Sequence, residues 1–107
     1  MNHRPPAHRR PTTPGDMLNE EYLKPLKITQ TAFAAAIGVP HARLNEILNG
    51  KRGVTVDTAL RLGRALNTTP VFWLNLQQAV DLYDASHLPK SRDIERITPI
   101  KRELQSA

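Results

Sequence analysis

The placement of threonine, proline and glycine constrains this chain more than any other feature. Thr13-Pro14, Pro25, Thr29, Gly38, Pro40, Gly50, Gly53, Thr55 and Thr69-Pro70 cut its middle into short segments. Proline fits the first turn of a helix but not its interior, where it lacks an N–H and its ring strikes the carbonyl four residues back. A threonine just before a helix caps a first-turn N–H, and a glycine just after it tolerates the left-handed turn that ends it. Between these stops apolar residues recur at three- and four-residue spacing, and no segment alternates as a strand would.

The segments predict five helices in an all-α domain. Helix one starts from the Thr13 cap and Pro14 and runs to about Leu23, with Leu18 and Tyr22 on one face, stopping at Pro25. Thr29 caps the second, Gln30 to Ile37, which Gly38 ends. Pro40 opens the third, to about Asn49, with Leu44, Ile47 and Leu48 inward. The fourth runs from the Thr55 cap to Asn67, with Ala59, Leu60, Leu62 and Leu66 inward. The fifth runs from Thr69-Pro70 to about Tyr83, and Phe72, Leu76, Ala79, Val80 and Tyr83 form its apolar face. Residues 1–12, rich in proline, arginine and histidine without periodicity, read as a flexible basic arm. The domain spans residues 13–85. Residues 86–107 are charged and broken up by Pro89 and Pro99, and read as a flexible tail or a short extra element.

Composition narrows the functional classes. A chain of 107 residues is one ordinary domain with a small core. With no cysteine it has neither disulfides nor thiolate metal sites. No apolar run approaches the ~20 residues needed to span a bilayer, and the basic N-terminus lacks the apolar stretch of a secretory signal, so a cytoplasmic location is expected. The formal charge of +5 is unevenly placed. Lysines and arginines 24, 27, 43, 51, 52, 61 and 64 face only Glu46 and Asp57 in that interval, while Asp16, Glu20, Glu21, Asp81 and Asp84 lie outside it. A basic middle between acidic flanks suits a polyanion.

Residues 30–53, QTAFAAAIGVPHARLNEILNGKRG, give that charge a geometry. A helix-turn-helix, here at about 29–49, needs a small residue inside its first helix so that the second can cross closely, and Ala34 supplies it. Its turn needs a residue tolerant of positive φ, which is Gly38. Its second helix needs apolar residues pointing back to the core, which are Leu44 and Ile47. The outward residues His41, Ala42, Asn45 and Glu46 then become the base readers. His41 can donate to guanine, Ala42 can meet a thymine methyl, and Glu46 can accept from cytosine N4. Glu46 also has a plainer role open to it, as a solvated carboxylate bridged to Arg43 or Lys51. Gln30, Arg43, Lys51, Arg52 and the N–H groups opening the fourth helix at Thr55 are placed for phosphates. Arg61 and Arg64 read as a solvated face.

Catalysis finds no constellation. The histidines at 3, 8, 41 and 87 are scattered, none with an acid at ligand spacing, and no phosphate-binding glycine loop or nucleophile–base set occurs. The chain reads as no enzyme, and nothing in it calls for a cofactor. The stretch VFWLNLQ, residues 71–77, holds two of the five aromatics. Phe72 and Leu76 fall on the apolar stripe. Trp73, Leu74 and Gln77 fall beside it, where a two-fold partner could pack, and they are the expected dimer interface.

Two longer stretches carry a family resemblance. PTTPGDMLNEEYLKPLKITQTAFAAAIGV and PHARLNEILNGKRGVTVDTALRLGRALNTTPVFWLNLQQAVDLYD, together about residues 11–84, resemble the HigA-type antitoxins of the Xre, or lambda-repressor-like, helix-turn-helix family. The run from RLNEILNGKRG through DTALRLGRAL to FWLNLQ is the most specific part. The resemblance implies a compact five-helix repressor fold, a homodimer, and a palindromic operator upstream of the chain's own operon. It also implies a partner, a HigB-type toxin that is a ribosome-dependent mRNA ribonuclease. By position it assigns Gln30, His41, Ala42, Arg43, Asn45, Glu46, Lys51 and Arg52 to the DNA face. Val39-Pro40 departs from the serine or threonine that often opens the recognition helix. A stand-alone Xre repressor without a toxin would share the same readers and core, so that reading stays open from the sequence.

Overall fold

The computed structural model describes residues 9–101. Among these residues there are helices and no strand. Residues 14–26 form α1, in which Pro14–Leu18 leads into a π turn, Asn19–Leu23, and then Lys24–Leu26. The others are α2, Gln30–Ile37; α3, His41–Leu48; α4, Val56–Leu66; α5, Pro70–Ser86; and α6, Ser91–Glu95. The five expected helices are present, and α6 is a sixth. It lies in the charged tail and has no buried residue. The rest of the arm and tail expectation, residues 1–8 and 102–107, lies outside the described residues.

Threonine caps recur at four starts. The hydroxyls of Thr13, Thr29, Thr55 and Thr69 accept from the N–H groups of Asp16, Ala32, Thr58 and Phe72, each cap contributing about 1 kcal/mol. Four helix ends close with one arrangement, in which an N–H two or three residues past the helix reaches back five residues and a residue with positive φ makes the turn. The bonds are Ile28 to Leu23, Val39 to Ala34, Lys51 to Glu46 and Thr68 to Gly63, at 2.8–3.1 Å. Gly38 and Gly50 make two of these turns; Lys27 (φ 56°) and Asn67 (φ 57°) make the others. Helix α1 therefore passes Pro25, where a stop was expected. The π turn just before it widens the helix where an α-helix would set the proline ring against the carbonyl of Glu21.

The core joins Leu18 and Leu23 of α1, Phe33, Ala34 and Ile37 of α2, Leu44 and Ile47 of α3, Ala59 and Leu62 of α4, and Trp73 of α5. Two glycines allow the closest approaches. A Cβ on Gly15 would strike the backbone of Ile47 and Leu48, so α1 lies directly on the end of α3. A Cβ on Gly63 would meet the Thr68 carbonyl at 2.8 Å, where α5 turns back on α4. Leu60, Phe72 and Ala79 differ from the periodic expectation, Ala79 being exposed on α5. Leu60 is 55 % exposed on α4. On α5 the residue driven inward is Trp73, wholly buried, while Phe72 is only partly buried. The Trp73 ring sits edge-on to Phe72 at 5.0 Å and tilted against Tyr22 at 5.7 Å, and its Nε1–H donates to the Thr68 hydroxyl at 2.7 Å. One hydrogen bond satisfies its only polar atom, so the largest side chain fits inside.

Candidate nucleic-acid interface

Helices α2 and α3 make a helix-turn-helix with α3 as its outward element. Leu44 and Ile47 fix which way α3 faces, since both are at most 2 % exposed. The opposite side then carries His41 and Ala42, exposed at the helix start, and Asn45 and Glu46, partly buried one turn on. Pro40 caps α3 without a side-chain bond. Its carbonyl takes the N–H groups of Arg43 and Leu44, and no side chain caps those of His41 and Ala42. Unsatisfied N–H groups at a helix start attract anions.

The polar face of α3 is already organised by its own contacts. Asn49 Nδ2 donates to Asn45 Oδ1 at 3.1 Å, and Asn45 Nδ2 donates to Gln30 Oε1 at 3.2 Å. This chain of amides ties the two helices together and fixes the Gln30 side chain by its carbonyl, with its N–H groups as remaining donors. Glu46 accepts from Arg52 Nε at 2.7 Å, and its main-chain carbonyl accepts the N–H groups of Lys51 and Arg52. Residue 46 therefore pins the basic loop back onto α3 while its carboxylate faces the same side as the expected readers. Lys51 and Arg52 are exposed. Arg43 is half-exposed, with its guanidinium 3.8 Å from Asp57. The Thr55 hydroxyl is used as the cap of α4.

Gln77 performs a task the sequence did not suggest. Its Oε1 accepts the Val54 N–H at 2.8 Å and its Nε2 donates to Asp81. It braces the loop after α3 from behind instead of facing outward. Trp73, also expected on the dimer seam, is a correction: with no exposed surface it packs within the monomer. Leu74 is half-buried against the core. Arg61, read as a solvated cation, donates to the Ile37 carbonyl at 2.8 Å and to Gly38 at 3.3 Å. It also pairs with Asp57 at 2.9 Å, so it ties α4 to the turn of the helix-turn-helix. The Asp57/Arg61 spacing was a visible signal of an i,i+4 pair, but its link to the turn carbonyls depends on tertiary placement. Among the described residues, no group of histidine and acidic side chains could hold a metal ion, and no helix is long and apolar enough to cross a membrane.

Residues 20–74 match the helix-turn-helix family HTH_3. The antitoxin HigA-1 of Vibrio cholerae is 48% identical over 77 residues, 71% of this chain and 71% of that protein. Two solved structures have the same fold over nearly their whole length. The antitoxin GraA in complex with its operator has a TM-score of 0.79 at 39% identity and covers 92% of this chain and 99% of its own. The Pseudomonas aeruginosa antitoxin HigA with the higBA promoter also has a TM-score of 0.79, at 35% identity, covering 86% of this chain and 100% of its own.

Proposed function

This chain belongs to the Xre-type helix-turn-helix family, whose members include the HigA antitoxins, and on that premise we propose that it is the antitoxin of a type II toxin–antitoxin pair. As a homodimer it binds a palindromic operator, represses its own operon and neutralises a HigB-type mRNA ribonuclease. One observation carries the DNA part of this reading. The outward face of α3 presents exposed His41 and Ala42, an amide chain running back to Gln30, and a loop with Lys51 and Arg52 at its far end. Such a face fits a major groove with its cations at the flanking phosphates. His41, Ala42, Asn45 and Glu46 are the readers; Gln30, Arg43, Lys51, Arg52 and the start of α4 at Thr55 hold the backbone.

The dimer seam lies on α5, but on a different stripe from the one its sequence suggested. Val71, Asn75, Gln78 and Leu82 are exposed at helical spacing and carry no charge over some three turns. Val71 and Leu82 are 58 % and 65 % exposed. A second copy packing there would set two α3 helices to read half-sites about one helical turn, ~34 Å, apart. The toxin partner rests on the names of the relatives and on the sequence resemblance.

The test uses the DNA upstream of the chain's own gene. Fluorescence anisotropy should give tight binding there and much weaker binding to scrambled DNA, with two chains per palindrome by sedimentation. Equal affinity for both DNAs would sink the repressor reading. Co-expression with the neighbouring open reading frame should rescue growth and co-purify a complex; rescue without a complex, or no toxic neighbour, would leave a plain repressor.

A further inference from the structure

Helix α2 ends, as any helix does, with carbonyls that have no helical donor to accept from. The N–H groups of Gly38 and Val39 turn back to Ala35 and Ala34. The carbonyls of Ile37 and Gly38 accept instead from Arg61 Nη1, at 2.8 and 3.3 Å. A cation is favoured at this end of a helix. Gly38 leaves room for it, since a Cβ there would come 3.0 Å from the same nitrogen. One turn back on α4, Asp57 Oδ2 accepts from Arg61 Nε at 2.9 Å. The guanidinium is thus held on one side by its own helix and on the other by the turn.

That turn is short. Gly38, Val39 and Pro40 alone separate α2 from α3. Val39 is buried and the Pro40 ring fixes φ at −59°, so a shift of the turn passes directly to α3. The same Asp57 oxygen lies 3.8 Å from Arg43 Nη1 on α3. Two polar contacts from α4 therefore bear on the outward helix, one through its turn and one directly. Leu44 and Ile47 decide which side of α3 is buried, but apolar contact is non-directional and leaves small slides cheap. Groups that recognise a ligand need positions held to about 0.5 Å, and directed hydrogen bonds from supporting residues supply that. The Nε and Nη1 donors of Arg61 are committed within the protein, and its charge is answered by Asp57. With the two side chains 41 % and 59 % exposed, the pair itself adds little to stability.

We propose that Arg61, oriented by Asp57, is a positioning residue for operator recognition: it sets the angle of α3 through the Ile37 and Gly38 carbonyls and touches no DNA itself. The proposal rests on the DNA-binding reading above and adds to it a determinant of specificity on α4, outside the reading face.

The experiment compares the full chain with Arg61→Ala, Arg61→Lys, Asp57→Asn and Asp57→Ala, and with Arg64→Ala as the exposed cation on the same helix. Each binds operator and scrambled duplexes over a salt series, well below its own measured melting temperature. Lysine keeps the charge but has one nitrogen, too few to hold Asp57 and the turn together. Arg61→Ala and Arg61→Lys should therefore both lower the operator-to-scrambled ratio by about fivefold, the low end of what one base contact contributes, with the salt slope unchanged. A phosphate role reads the other way: Arg61→Ala would lower the slope by about 0.9, Arg61→Lys would restore it, and the ratio would hold. That result would overturn the proposal, as would a lowered melting temperature with an unchanged ratio. Asp57→Asn keeps an oxygen for Nε and should keep the ratio, whereas Asp57→Ala should lower it. Equal ratios in those two variants would remove Asp57 as the orienting group. Arg64→Ala should leave the ratio as it is; a loss as large as that of Arg61→Ala would reduce the effect to general charge and overturn the positioning role. An unmodified chain with no preference for operator would instead overturn the DNA-binding reading beneath it.

Discussion

Helices α3 and α5 teach opposite lessons about what a sequence pattern can settle. On α3, polar residues occupy His41, Asn45, Glu46 and Asn49, leaving only one arc for Leu44 and Ile47, and the buried side follows from periodicity. On α5, Val71, Phe72, Trp73, Leu74, Leu76, Ala79, Val80 and Leu82 are apolar nearly all round. Several rotations of α5 would bury similar area, so fit and hydrogen bonding choose among them. The Thr68 hydroxyl that receives the Trp73 indole N–H, and the Gly63 backbone that lets α5 close on α4, select the rotation with Trp73 inside.

The largest effect that could break this comparison is therefore at Trp73. Trp73→Ala should cost about 3–5 kcal/mol in urea unfolding, and Phe72→Ala clearly less, because Phe72 keeps part of its surface in water. A larger loss at Phe72 would mean that α5 is rotated onto the periodic stripe after all.

The same contrast marks what was legible in the chain. Thr29, Gly38, Thr55, Asn67 and Thr69 act as local punctuation, and the helices begin and end where they direct. Lys27 ends α1 in a left-handed turn with neither glycine nor asparagine to announce it, and Pro25 lies within the helix because a π turn precedes it. The side-chain positions of α3 could be read because they depend on one helix and its turn. Arg61 on the Ile37 carbonyl, Arg10 on Asp84 and Gln77 on the Val54 N–H join residues 24, 74 and 23 positions apart. No short-range pattern carries such pairings.

Gln77 gives the next test, smaller in size. Gln77→Ala leaves the half-buried Val54 N–H without its acceptor, which should lower stability by about 1–3 kcal/mol. It should also raise amide exchange at residues 51–54, because the loop loses its brace from α5. A variant that instead changed only the monomer–dimer balance, with exchange in the loop untouched, would return Gln77 to the seam.

The smallest expected effect is at Glu46, and it separates its two roles on α3. Its carboxylate is held 2.7 Å from Arg52 Nε, so part of the Arg52 charge is answered within the protein before any phosphate arrives. Glu46→Gln removes the negative charge and keeps the side-chain size. If Glu46 mainly positions and tempers Arg52, affinity should rise a few-fold for every duplex, and the salt slope should steepen by at most about one unit as Arg52 becomes free to engage phosphate. If Glu46 reads a base, the substitution should alter preference at one position of each half-site by about 1–3 kcal/mol with little change in slope. A binding-site logo and a salt series on the same variant therefore assign the residue. A steepened slope with an unchanged logo would leave His41, Ala42 and Asn45 as the only readers on the face of α3.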